Sequence, residues 1–300
     1  GVYIKDMASD QIFSFNGHRN WYLASAIKVP VAIEVYWQVS MGLLDDKKPI
    51  TLKESDFRDG AGITSGLKPG AQVSLRFLVE QMLIESDNTA TDILVDLVGA
   101  QNINLNLQNT VFTGFGPVTS LLDVRKNVYS EFDKKGLTLT NRDFMTLKAT
   151  KQEKAKLEKL SQILKIREKD FRVKSVDEAF ARYYQRGLNS ATLVAYSKLL
   201  EKILEKRTLQ PKDLPPLLDV MLKCNTGKNR IEAGLPADVL FAHKTGTQHR
   251  RICDLGIAWK KNSDRKILIS TCIEGFSNLS HAENTMKKIG SLLKTSKVFN

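Results

Sequence analysis

The sequence predicts an α/β (α+β) fold in which one sheet is built from both termini and a mostly helical lobe is inserted between them. Three observations carry this. Short apolar runs open the chain, helical spacing dominates residues 25–223, and alternating, strand-like runs return after residue 239. The predicted division is 1–24 plus 235–300 for the sheet lobe and 25–234 for the helical lobe. The cleft between lobes is the default site.

Taken in order, Val2-Tyr3-Ile4 and Ile12-Phe13-Ser14-Phe15 flank Ser9-Asp10 and read as a hairpin. Residues 25–42 read as a helix with Pro30 in its first turns, where a missing backbone donor is tolerated, and Gly42 at its end. Gly60, Gly62, Gly66, Pro69 and Gly70 mark a loop. Residues 73–84 and 89–98 read as helices, and the pattern is weak over 100–145. Helical periodicity resumes at 145–168. Asn189-Ser190 reads as the cap of a helix over 193–204, and Pro211, Pro215 and Pro216 bracket a short helix at 213–223. Residues 239–242, 252–259 and 267–273 read as strands, with a turn over 260–265 and a final helix over 279–294.

At 300 residues the chain can bury a core without covalent staples. Hydrophobic residues at 42% and charged residues at 26% argue against disorder, collagen and coiled coil. No stretch reaches 18 uninterrupted apolar residues, so no spanning helix is expected. The first residue is Gly1 rather than Met. A removed upstream segment is therefore expected, and a signal peptide fits that expectation.

The net charge is +12. Residues 148–174 concentrate it, with ten basic residues against four acids. A basic surface attracts polyanions, but this run lacks aromatic interleaving or a readout motif, so it reads as a solvated helix face and no nucleic-acid partner is expected. The four histidines lack metal-ligand spacing, so neither a metal nor a cofactor is expected. Cys224, Cys253 and Cys272 form no disulfide framework. Folding the last two strands about the 260–265 turn places Cys253 opposite Cys272. Two packed thiols are the expectation, with a disulfide the alternative in an oxidising compartment.

Three short motifs carry chemistry. Ser25-Ala26-Ile27-Lys28 opens a helix, and a spacing of three puts hydroxyl and amine on one face. The helix N-terminus offers amide donors to an oxyanion, and a desolvated Lys28 can act as a base. In Ser86-Asp87-Asn88 the hydroxyl can relay a proton, and an Asn amide donates and accepts at once. In Lys244-Thr245-Gly246-Thr247 a cation and two hydroxyls suit a carboxylate, while Gly246 lets a ligand approach the backbone. Each motif alone also fits a cap or an ordinary turn. Together, in this order, they form a known signature.

On these motifs the chain resembles the class A serine β-lactamase and penicillin-binding protein superfamily. Thr226-Gly227-Lys228-Asn229-Arg230-Ile231 and Gly234-Leu235-Pro236, ahead of His243-Lys244-Thr245-Gly246-Thr247, look most like class A β-lactamases. The resemblance implies a mostly antiparallel five-stranded sheet with a helical lobe. It implies that Ser25 attacks a β-lactam carbonyl, with Lys28 as base or relay and Ser86 passing a proton to the ring nitrogen. Asn88 would hold the acylamide, Lys244, Thr245 and Thr247 the carboxylate, and the amides of Ser25 and Thr247 the oxyanion.

The chain departs from the family in three places. The helix that usually precedes the first strand is missing. The stretch near 145–175 looks like an insertion. The loop Glu that positions a deacylating water, in a Glu-x-x-Leu-Asn pattern, has its nearest match in Gln185-Arg186-Gly187-Leu188-Asn189, where Gln cannot act as a base. A second alignment offers Glu178, or less well Asp177. The first expectation is thus a β-lactam hydrolase using Glu178. The second is a penicillin-binding D,D-peptidase-like enzyme, or a relative that acylates without efficient turnover. Expected surroundings are a periplasmic or secreted monomer acting on a β-lactam or cell-wall peptide.

Overall fold

The computed structural model describes all residues except 61, 206–211, 297 and 300, and only the backbone of 214 and 215. β1 (Val2–Asp6) and β2 (Ile12–Phe15) form the predicted hairpin, with Val2 opposite Phe15. β3 (Asn20–Tyr22) leads into a 3₁₀ turn, Ala24–Ile27, and then α1 (Lys28–Ser40). β4 (Ile50–Thr51) pairs with β5 (Gln72–Val73), and α2 (Leu75–Ile84), α3 (Asn88–Val98) and α4 (Ala100–Val111) follow. Next come α5 (Leu121–Tyr129), α6 (Asn141–Ala149), α7 (Glu153–Leu164) and α8 (Val176–Gln185). β6 (Ser190–Thr192), α9 (Leu193–Leu204) and α10 (Leu214–Leu222) lead to β7 (Val239–Gln248), β8 (Arg251–Lys260), β9 (Ile267–Glu274) and α11 (Leu279–Thr295).

The sheet runs β2-β1-β9-β8-β7, antiparallel throughout. The first strand pairs with the last, so both termini build one sheet as expected. Its central strands are buried on both faces. One face packs with α1 and α9 through Leu255, Ile257 and Leu268. The other packs with α11 through Ile252, Ala258 and Ile269. Burial on both sides is seen in β8, where every residue from Ile252 to Ala258 is buried.

Three expectations are corrected. The helix predicted from residue 25 begins as a 3₁₀ turn and becomes α-helical only at Lys28. Asn189-Ser190 is not a helix cap. Ser190 starts β6, paired with β3, and Thr192 caps α9 by accepting from the Ala195 amide at 3.0 Å. Cys253 and Cys272 face each other in register and form a disulfide, not two packed thiols. Pro211 lies outside the described residues.

The segment from α5 to α8 has its own core, built on Phe132, Phe144, Leu160, Leu164, Phe171 and Tyr183. Each of α5, α6 and α8 has a local side-chain cap, from Ser120, Thr140 and Ser175. The basic residues of 151–174 lie at the exposed or half-buried surface while Leu160, Leu164, Phe171 and Val173 turn inward, as a solvated helix face requires. This second core closes over Tyr22 and Ala24, the two residues flanking Leu23 just ahead of Ser25.

Candidate active site

The 3₁₀ turn that carries Ser25 is pinned from three sides. The Leu23 amide donates to the Asn189 carbonyl at 3.0 Å, and the Tyr196 hydroxyl donates to the Ala26 carbonyl at 3.0 Å. On the third side β7 packs directly on the turn. At Gly246 an added Cβ would collide with the Leu23 carbonyl oxygen, so only glycine lets the strand come this close. Ala24 has φ +49° and Ser86 φ +58°. Two non-glycine residues in the left-handed region thus stand at the site, where such strain is commonly held.

Lys28 is fully buried. Its Nζ donates to the Ser86 carbonyl at 2.6 Å, to Ser86 Oγ at 3.2 Å and to Asn88 Oδ1 at 3.1 Å. Burial, followed by the nearby charge of Lys244, holds its pKa well below the ordinary lysine value. Burial thereby favours the neutral amine over the ammonium. Asp87 keeps the motif in place: Oδ1 caps α3 through the Ala90 amide at 2.9 Å, and Oδ2 accepts from the Thr64 amide at 2.8 Å. Asn88 Nδ2 donates to the Asp59 carbonyl at 2.8 Å. Gly60 (φ +126°) sits so close to that amide that a Cβ would strike Asn88 Nδ2.

The third motif lies within β7 instead of at its end. Lys244 is fully buried, donates to the Thr245 carbonyl at 3.2 Å, and is pushed down by burial. Thr245 Oγ1 is hydrogen-bonded to Thr226 Oγ1. Arg230 supports the strand from behind: it donates to Thr247 Oγ1 at 2.7 Å and to the carbonyls of Gly246 and Cys253 at 3.1 Å, and it pairs with Glu283 at 3.2 Å. The sequence reading quoted Thr226 and Arg230 for their resemblance but gave them no role.

One cleft of about 270 Å³ joins these parts. Ser25, Ser86, Asn88, Thr245 and Thr247 line it, with Tyr22, Thr226, Leu121 and Arg125 among the rest. Lys28, Lys244 and Gly246 lie behind that lining. No carboxylate is among its described lining residues. Glu178 is not brought to the cleft. It lies in the exposed first turn of α8, where Oε2 accepts from the Lys174 amide at 2.9 Å and Oε1 accepts from Arg182 at 2.8 Å. Those contacts hold its pKa below the usual value, as the amide of its own helix start does best. Asp177 is likewise committed at the surface, to His249 at 2.5 Å and Arg250 at 3.1 Å. Gln185 is exposed at the end of α8, while Asn189 is buried and bonded to Thr119.

The α5 start faces the cleft in their place. The buried Asp92 carboxylate accepts the amides of Leu121 at 2.6 Å and Leu122 at 2.9 Å, and Arg58 Nε at 2.6 Å. This fixes the Leu121 side chain as an apolar part of the cleft wall. Neither Asp92 nor Leu121 stands in a motif the sequence reading weighed.

The family and the fold are identified by similarity to known proteins. Residues 1–296 match the model of the Beta-lactamase enzyme family. No curated protein matches. Among solved structures, a β-lactamase from Sphaerobacter thermophilus DSM 20745 is 20% identical with a TM-score of 0.72, covering 99% of this chain and 91% of its own. One from Xanthomonas campestris pv. campestris is 18% identical with a TM-score of 0.73, covering 98% and 90%. PBP-A is 18% identical with a TM-score of 0.73, covering 99% and 88%. These identities establish a shared fold, and the family match over nearly the whole length establishes membership: the chain belongs to the Beta-lactamase enzyme family, the serine β-lactamase-like enzymes.

Proposed function

We propose that the chain is a hydrolase that opens the β-lactam ring through an acyl-enzyme on Ser25. The observation that carries this reading is the fully buried Lys28, whose Nζ lies 3.2 Å from Ser86 Oγ and whose motif shares a cleft with Ser25. Ser25 Oγ forms a bond to the lactam carbonyl carbon as its proton passes to the neutral Lys28 amine. The developing oxyanion takes the Ser25 and Thr247 amides, a contribution of about 3 to 4 kcal/mol for such a hole. The ring C–N bond then breaks. Ser86 Oγ gives its proton to the nitrogen and recovers one from Lys28. Thr245 and Thr247 hydroxyls, backed by Lys244, receive the substrate carboxylate. Water later cleaves the ester and restores Ser25.

A second reading, acylation with slow release, has one observation in its favour. Among its described residues the cleft lining holds Leu121 and no carboxylate to activate that water. The Cys253–Cys272 disulfide supports an oxidising location, periplasmic or secreted. Time courses with a chromogenic cephalosporin separate the readings: steady turnover supports the hydrolase, and a single burst equal to the enzyme present supports the second.

A further inference from the structure

We infer that Arg125 selects acyl donors that carry a carboxylate on the acyl side chain. This rests on the Ser25 reading and adds a specificity to it. Among the described residues that line the cleft, Arg125 is the only Lys, Arg, Asp or Glu. It comes from α5, which packs on α3 and α8, whereas the carboxylate-binding threonines come from β7, which packs on β8 and α10. The cleft thus has a cationic group on the α5 side, distinct from the Lys244 side.

Arg125 is held, not loose. Its Nε donates to Asp59 Oδ1 at 3.1 Å and one terminal nitrogen to Asp59 Oδ2 at 3.3 Å, in a side-on fork. That fork uses one edge of the guanidinium and leaves the other terminal nitrogen, Nη1, to donate elsewhere. Asp59 does not cancel the charge, because Lys148 also approaches it at 3.9 Å, so the trio carries a net positive charge. The side chain is only 23% exposed, so its field is screened less than at an open surface. The Asp59 carbonyl accepts from Asn88 Nδ2, so the residue that anchors Arg125 also touches the residue expected to hold the acylamide. A carboxylate attached next to that acylamide would meet a preordered cation with Nη1 placed to donate a charge-assisted hydrogen bond.

The test compares benzylpenicillin with α-carboxybenzylpenicillin, which differ by one carboxylate on the acyl side chain. Acylation rate constants are read by intact mass for the wild type, Arg125→Gln and Arg125→Lys. Equilibrium binding of both penicillins is measured on Ser25→Ala and on Ser25→Ala combined with Arg125→Gln. The wild type is expected to favour the carboxylated compound about tenfold or more, as a charge-assisted pair provides. Arg125→Gln should bring the ratio to about one, and Arg125→Lys should restore part of it. The ratio is internal to each protein, so a general loss of folding or activity does not mimic the result. An equal rate for both compounds in the wild type, or a preference that survives Arg125→Gln, overturns the proposal. The binding arm needs no acylation, so it decides the role of Arg125 even where the Ser25 chemistry fails.

Discussion

Lys28 Nζ and Ser86 Oγ lie 3.2 Å apart although 58 residues separate them, and the same amine also holds the Ser86 carbonyl at 2.6 Å. One buried base thereby touches the hydroxyl that would protonate the leaving nitrogen. Its removal should cost both proton transfers at once. Lys28→Ala should lower the acylation rate constant by about 10²- to 10⁴-fold. In the wild type that rate should rise with pH as Lys28 loses its proton, along a limb well below the ordinary lysine value, because burial favours the neutral amine. Rate constants measured by intact mass across neutral pH check this. A flat profile in the wild type argues against Lys28 as base.

Deacylation should not depend on Glu178, whose carboxylate is tied to its own helix start. Glu178→Gln should leave the release of a penicillin adduct within about twofold of wild type. Leu121→Glu should speed release by about tenfold or more, because it places a carboxylate on a cleft wall whose described residues include none. The decay of adduct mass after dilution reads both. A large slowing in Glu178→Gln would return that residue to the mechanism.

Gly246→Ala should be costly twice. The added Cβ meets the backbone carbonyl of Leu23, which cannot rotate away. Overpacking of this kind typically costs about 1 to 3 kcal/mol, and here the strain falls on the turn that presents Ser25. Chemical denaturation and acylation kinetics on the same variant should both show the loss.

Thiol titration of the denatured, unreduced protein should find one of the three cysteines, Cys224, because Cys253 and Cys272 are joined. The bond closes a short loop, so replacing both with Ala should lower stability by about 2 to 4 kcal/mol. Three titrating thiols would contradict the pairing.

The parts legible in the sequence were those written locally. The hairpin around Ser9-Asp10, helix α9, the last three strands and the three motifs all follow from periodicity or short spacing. The facing of Cys253 and Cys272 followed from a single turn, but their oxidation did not, since register says nothing of redox state. The β3–β6 pairing was hidden because Asn20–Tyr22 meets Ser190–Thr192 across the whole helical lobe. Leu121 and Arg125 were hidden for a similar reason. Their place at the cleft depends on Asp92 and Asp59, partners more than 28 residues away, and nothing in the weak pattern of 100–145 marks them. Glu178 drew notice through a spacing rule, yet its position beside Ser175 already fits a carboxylate at a helix start.

The central claim is that Ser25 forms the acyl-enzyme. The most direct measurement is a stopped time course with a chromogenic cephalosporin, followed by intact mass of the wild type and of Ser25→Ala. The account predicts ring opening with a covalent adduct trapped on the wild type, and neither ring opening nor adduct in Ser25→Ala. Ring opening that persists in Ser25→Ala, or a wild type that shows no ring opening and no adduct, would contradict it.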